Sequence, residues 1–135
     1  MPYLKKDSDT RLKLICAASY MTSGIAGLIY MIVRGGGAGS PFFRFHFYQS
    51  ILLGIFVMLL GWGTNAFVSI SAGLLDMFGP ALGTVKGILL TGINGFADLL
   101  HIVFLLATIA GVVQSLRSRY LELPVISALV RQNMR

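Results

Sequence analysis

Charged residues crowd the two ends of this chain and almost vanish from its middle. Lys5, Lys6, Asp7, Asp9, Arg11 and Lys13 lie near the N-terminus, and Arg117, Arg119, Glu122, Arg131 and Arg135 near the C-terminus. Between Arg44 and Lys86 the only charge is Asp76, and between Lys86 and Arg117 it is Asp98. A helix needs about 20 apolar residues to cross a bilayer core of roughly 30 Å. The pattern therefore predicts an all-α, polytopic integral membrane protein with about four transmembrane helices.

The first predicted span covers residues 12–33, preceded by a polar tail (1–11) whose Asp7, Ser8, Asp9 and Thr10 offer N-cap chemistry. Its Gly24 and Gly27 form a notch for close helix contact. Arg34 closes it, and residues 35–41, rich in glycine, make a turn. The second span, 45–62, has an aromatic lead-in of Phe42, Phe43, Phe45, Phe47 and Tyr48, rings that favour the membrane interface. Its predicted exit is Gly61, Trp62, Gly63, Thr64 and Asn65. The third span, 66–85, is irregular, because Gly79 and Pro80 kink or stop a helix. The alternative there is an interfacial or re-entrant piece, followed by a span starting near Leu82. Gly83 and Gly87 carry GxxxG spacing. The fourth span, 95–116, ends at Arg117 and Arg119, and the tail 117–135 has the makings of an interfacial amphipathic helix after Pro124.

Composition agrees. Hydrophobic residues make up 56% and charged residues 12%, against about 25% charged in ordinary soluble domains. The mean hydropathy is +0.79. The net charge of +6 would suggest nucleic acid in a soluble protein. Here the basic residues flank apolar spans, as headgroup anchors and the positive-inside rule require. That bias puts both termini on the cytoplasmic or stromal side, with no nucleic-acid partner. The first ten residues are too polar for the apolar region of a signal peptide, so the first apolar run is expected to be retained. Cys16 is the single cysteine, which rules out an intramolecular disulfide or a thiolate cluster.

Enzymatic motifs are missing: there is no phosphate-binding P-loop, no paired-histidine metal helix and no nucleophile elbow. Two polar groups remain. Asn94, Asp98 and His101 are spaced by four and three, on one helical face. An ionisable group inside a membrane faces a bundle interior or water, so Asp98 and His101 are candidates for a proton or ion relay. The plainer reading puts Asp98 near the start of its helix, within reach of headgroup water. His101 is also a candidate ligand for a pigment metal. Arg44, His46, Gln49 and Ser50 form a second group at the start of the second span. Buried, they must satisfy one another or bridge to another helix; a structural clamp and direct substrate contact are the two readings. No metal site or other cofactor is expected, apart from lipid.

The stretch PFFRFHFYQSILL (residues 41–53), after CAASYMTSGIAGLIYMI (16–32), resembles the signature of a superfamily of small four-helix membrane proteins. Its best-known branch is the twenty-kilodalton Tic subunit of the chloroplast inner-envelope protein translocon, with cyanobacterial and other bacterial relatives. The likeness covers residues 11 to about 60; beyond that only hydropathy agrees. It implies a non-enzymatic subunit of a protein-translocation or assembly complex in a plastid or bacterial membrane. Partners would be other membrane subunits, lipids and a translocating polypeptide. The rival is an accessory subunit of a photosynthetic or respiratory complex, contacting lipid or pigment.

Overall fold

The computed structural model describes residues 10–35, 40–120 and 126–133. The N-terminal residues 1–9, most of the glycine turn (36–39) and residues 121–125 lie outside them. Regular structure among the described residues is helical: α1 (Thr10–Met21), α2 (Ile25–Arg34), α3 (Pro41–Asp76), α4 (Gly83–Leu116) and α5 (Ile126–Asn133), with a 3-10 turn at Pro80–Leu82 before α4.

Two segments, Pro41–Asp76 and Pro80–Leu116, are long and apolar enough to cross a membrane. At 1.5 Å per residue, the 36 residues of α3 reach roughly 54 Å. The helix starts with Pro41 in its first position, where a missing N–H costs nothing, and the Ser40 carbonyl accepts the Arg44 N–H at 3.0 Å. It then runs unbroken through residues 61–65, where the sequence pattern suggested an exit. The Thr64 hydroxyl donates back to the Leu60 carbonyl at 2.8 Å, so this polar residue is satisfied without leaving the helix. Residues 45–62 and 66–76 are thus one helix, and the expected third span is divided between the ends of α3 and α4. The break comes at Gly79, whose φ of 74° and following proline end the helix.

The segment 12–33 also departs from expectation, because it is not one helix. Ser23 (φ 52°) and Gly24 (φ 94°) are both left-handed, and the Gly24 N–H closes on the Ser19 carbonyl at 2.7 Å. The chain then doubles back. Along α1, Tyr20 meets His46 and Gln49, and Ser23 meets Gly54. Along α2 the order on α3 is reversed: Gly24 lies on Ile51, Gly27 on Phe47, and Tyr30 on Phe43. Gly27 also touches the Ser19 side chain across the hairpin. A side chain at Gly24 would be strained and would run into Ile51, so glycine is required there.

The chain divides into two compact units, Met1–Ile55 with Leu105–Arg135, and Phe56–Phe104. In the first, Leu12, Cys16, Phe42, Phe43 and Phe47 form the core, with Tyr30, Met31 and Tyr120 packed against it. The α5 helix forms where an interfacial helix was expected, but Ile126 and Val130 are buried in the protein. In the second unit, Phe56 stacks on Phe104 with centroids 6.4 Å apart, and Lys86 Nζ pairs with Asp76 Oδ1 at 2.5 Å. An open apolar groove of about 800 Å³ runs between its helices, lined by Leu59, Gly63, Phe67, Gly92 and Phe96 among others.

Candidate functional site

The polar residues that the fold gathers lie around the start of α3. His46 and Gln49, one turn apart, are fully buried, and Tyr20 of α1 reaches both. The Tyr20 hydroxyl lies 3.0 Å from His46 Nδ1 and donates to Gln49 Oε1 at 3.1 Å. His46 Nε2 lies 3.1 Å from the Arg119 backbone carbonyl, just past the end of α4. Helices α1 and α3 and the segment that follows α4 are therefore joined through one imidazole.

Hydrogen-bond chemistry limits the states of this cluster. A carbonyl only accepts, so Nε2 carries a proton. In the neutral ring Nδ1 is then an acceptor, and the single Tyr20 proton cannot serve both Nδ1 and Gln49 Oε1 at once. Turning the Gln49 amide by 180° presents its NH₂ to the Tyr20 oxygen and leaves the Tyr20 proton for His46.

The surroundings are aromatic. Phe42 and Phe45 meet the His46 ring edge-on at 4.5 and 5.5 Å, and Tyr120 stacks on it at 6.2 Å with an interplanar angle of 9°. Gly111 of α4 lies against the Tyr20 ring, where even a methyl group would collide. Close approach of α4 is what allows the chain beyond it to present the Arg119 carbonyl to His46.

Of the four residues expected to act together here, the structure unites His46 and Gln49. Ser50 is buried but donates to the Phe47 carbonyl of its own helix at 2.8 Å. Arg44 is exposed and outside the cluster. Tyr20, Tyr120 and the Arg119 carbonyl were not singled out by sequence. Tyr20 carried a usable signal, being one turn from Cys16 on the face that buries both. Nothing local marks a carbonyl.

The second group stays dispersed. Asn94 and Asp98 are exposed on α4, while His101 Nδ1 donates to the Ala97 carbonyl of the same helix at 2.9 Å. Among the described residues no hydrogen bond joins Asp98 to His101, and no three His, Cys, Asp or Glu side chains converge as a metal site requires. Comparison with family models, curated proteins and solved structures yields no match.

Proposed function

We propose that this chain is a multi-pass membrane protein that serves as a non-enzymatic subunit of a membrane protein-translocation or assembly complex. The observation that carries the reading is a contrast. The buried Tyr20, His46 and Gln49 are paired with one another and with a backbone carbonyl, while the long helices expose Leu59, Phe67, Phe96, Ile102 and Leu106. A buried cluster of this kind holds helices in register, and the exposed apolar faces suit lipid and partner helices. The likeness of residues 11–60 to the translocon superfamily supplies the choice of complex.

In this reading residues 42–62 and 96–116 occupy the bilayer core. Twenty residues of helix span roughly 30 Å, which separates Arg44 and the aromatic lead-in from Trp62, at the opposite interface. Asp98 then reaches headgroup water, in keeping with its exposure. The segment 12–33 enters and returns from the side that carries Arg11, Arg34, Arg44, Arg117 and Arg119. That side is cytoplasmic or stromal by the positive-inside rule. Two crossings beside a re-entrant hairpin keep both termini together, as four crossings also would.

The apolar groove of the second unit favours a second reading, an accessory subunit of a bioenergetic complex that holds a lipid or pigment tail. Cross-linking with mass spectrometry on native membranes separates the two. Contacts with precursor polypeptides support the translocation reading; contacts confined to respiratory or photosynthetic subunits overturn it.

A further inference from the structure

We infer that the turn of the α1–α2 hairpin faces water at the middle of the bilayer. The inference rests on the membrane reading above and deepens it. Depth comes first. The turn packs on Ile51 and Gly54, which follow Pro41 by ten and thirteen residues, roughly 15 and 20 Å along α3. With the aromatic start of α3 at the interface, that is the midplane of a core roughly 30 Å thick.

Chemistry comes second. A broken helix leaves backbone groups without partners, and hydrocarbon supplies none. Part of the turn is satisfied internally. The Thr22 hydroxyl donates to the Ala18 carbonyl at 2.8 Å and accepts the Ala26 N–H at 3.0 Å, and the Ile25 N–H reaches the Thr22 carbonyl at 3.1 Å. Ser23 is different. It is exposed, and neither its hydroxyl nor its N–H has a hydrogen-bond partner among the described residues. Thr22 beside it is exposed as well. Non-helical backbone survives at this depth where it is covered by protein or lines a watery cavity. Among the described residues nothing covers Thr22 or Ser23, both of which are exposed. Water meets two adjacent small polar groups in any geometry, whereas a partner helix needs a matched polar side chain.

The test is cysteine accessibility in sealed proteoliposomes, using a charged, membrane-impermeant thiol reagent applied to each side in turn. Ser23→Cys is the probe, with Thr22→Cys as a second in case the first does not fold. The wild-type chain, whose Cys16 is buried, gives the background. Met77→Cys in the exposed turn after α3 marks full labelling, and Leu106→Cys marks the lipid-facing level. We expect Ser23→Cys or Thr22→Cys to label as completely as Met77→Cys, and Leu106→Cys not at all. If neither turn cysteine labels while the two controls behave as expected, the water-facing turn is wrong and a partner or lipid covers it. If Leu106→Cys labels too, the membrane reading itself has failed.

Discussion

Replacing Tyr20 with Phe removes one oxygen from the centre of the first unit and leaves the ring in place. The hydroxyl stands 3.0 Å from His46 Nδ1 and 3.1 Å from Gln49 Oε1. Both partners are fully buried and lose a hydrogen bond. Stranding a buried polar group costs about 1–3 kcal/mol in soluble proteins. Interhelical bonds inside membranes average only about 0.6 kcal/mol, with a maximum near 1.7, because the unfolded chain finds other partners. This hydroxyl lies inside packed protein and serves two groups, so the upper end of the membrane range applies, about 1.5 kcal/mol or roughly a tenfold loss in the folded-to-unfolded ratio. Unfolding in mixed detergent micelles measures it, with Tyr30→Phe on α2 as a control expected to stay within about 0.5 kcal/mol. Combining Tyr20→Phe with Gln49→Met should cost less than the sum by about 1 kcal/mol, since one shared bond cannot be lost twice. Strict additivity, or a Tyr20→Phe effect no larger than the control, refutes the clamp.

Other perturbations probe separate parts of the structure. Gly111→Val drives a side chain into the Tyr20 ring and should destabilise by at least the 1–3 kcal/mol typical of overpacking, read in the same unfolding assay. Gly24→Ala adds backbone strain to a collision with Ile51, so its loss should exceed that of Gly92→Ala, where the space is open. Lys86→Met breaks an ion pair whose carboxylate is well exposed; the expected cost is under about 1 kcal/mol and shrinks with added salt. Asp98→Asn should leave both the fold and complex assembly unchanged. Loss of ion flux in proteoliposomes on that substitution would instead revive a relay.

The long helices were legible because charge is sparse along them. Only Arg44 and Asp76 lie in α3 and only Lys86 and Asp98 in α4, the pattern expected where burying an ion in lipid is costly. Hydropathy is nonetheless blind to direction. Residues 12–33 read as one apolar run, yet the chain reverses within them, since Ser23 and Gly24 adopt left-handed angles that add no polarity to the profile. The Ser23-Gly24 pair was the available clue, whereas the sequence pattern drew attention to Gly24 only as a packing notch with Gly27. The opposite error occurred at residues 61–65, where Gly, Thr and Asn resemble an exit. The backbone there stays helical, and Thr64 folds its hydroxyl back onto the Leu60 carbonyl instead of breaking the helix. His46 and Gln49 were legible as a clamp because buried polar groups must be paired. Their partners came from residues distant in sequence, which no spacing rule reaches.

The fold-back of residues 12–33 underlies both the clamp and the topology, and one distance tests it. Leu14 and Ile32 are exposed on α1 and α2, so each accepts a spin label in a Cys16→Ala background. A straight helix would hold the two positions roughly 27 Å apart. A hairpin of helices packed about 8–10 Å apart brings them to roughly 10–20 Å, allowing for label length. Pulsed dipolar spectroscopy in lipid nanodiscs should give the shorter distance. A single population near 27 Å would contradict the hairpin and with it the proposed topology.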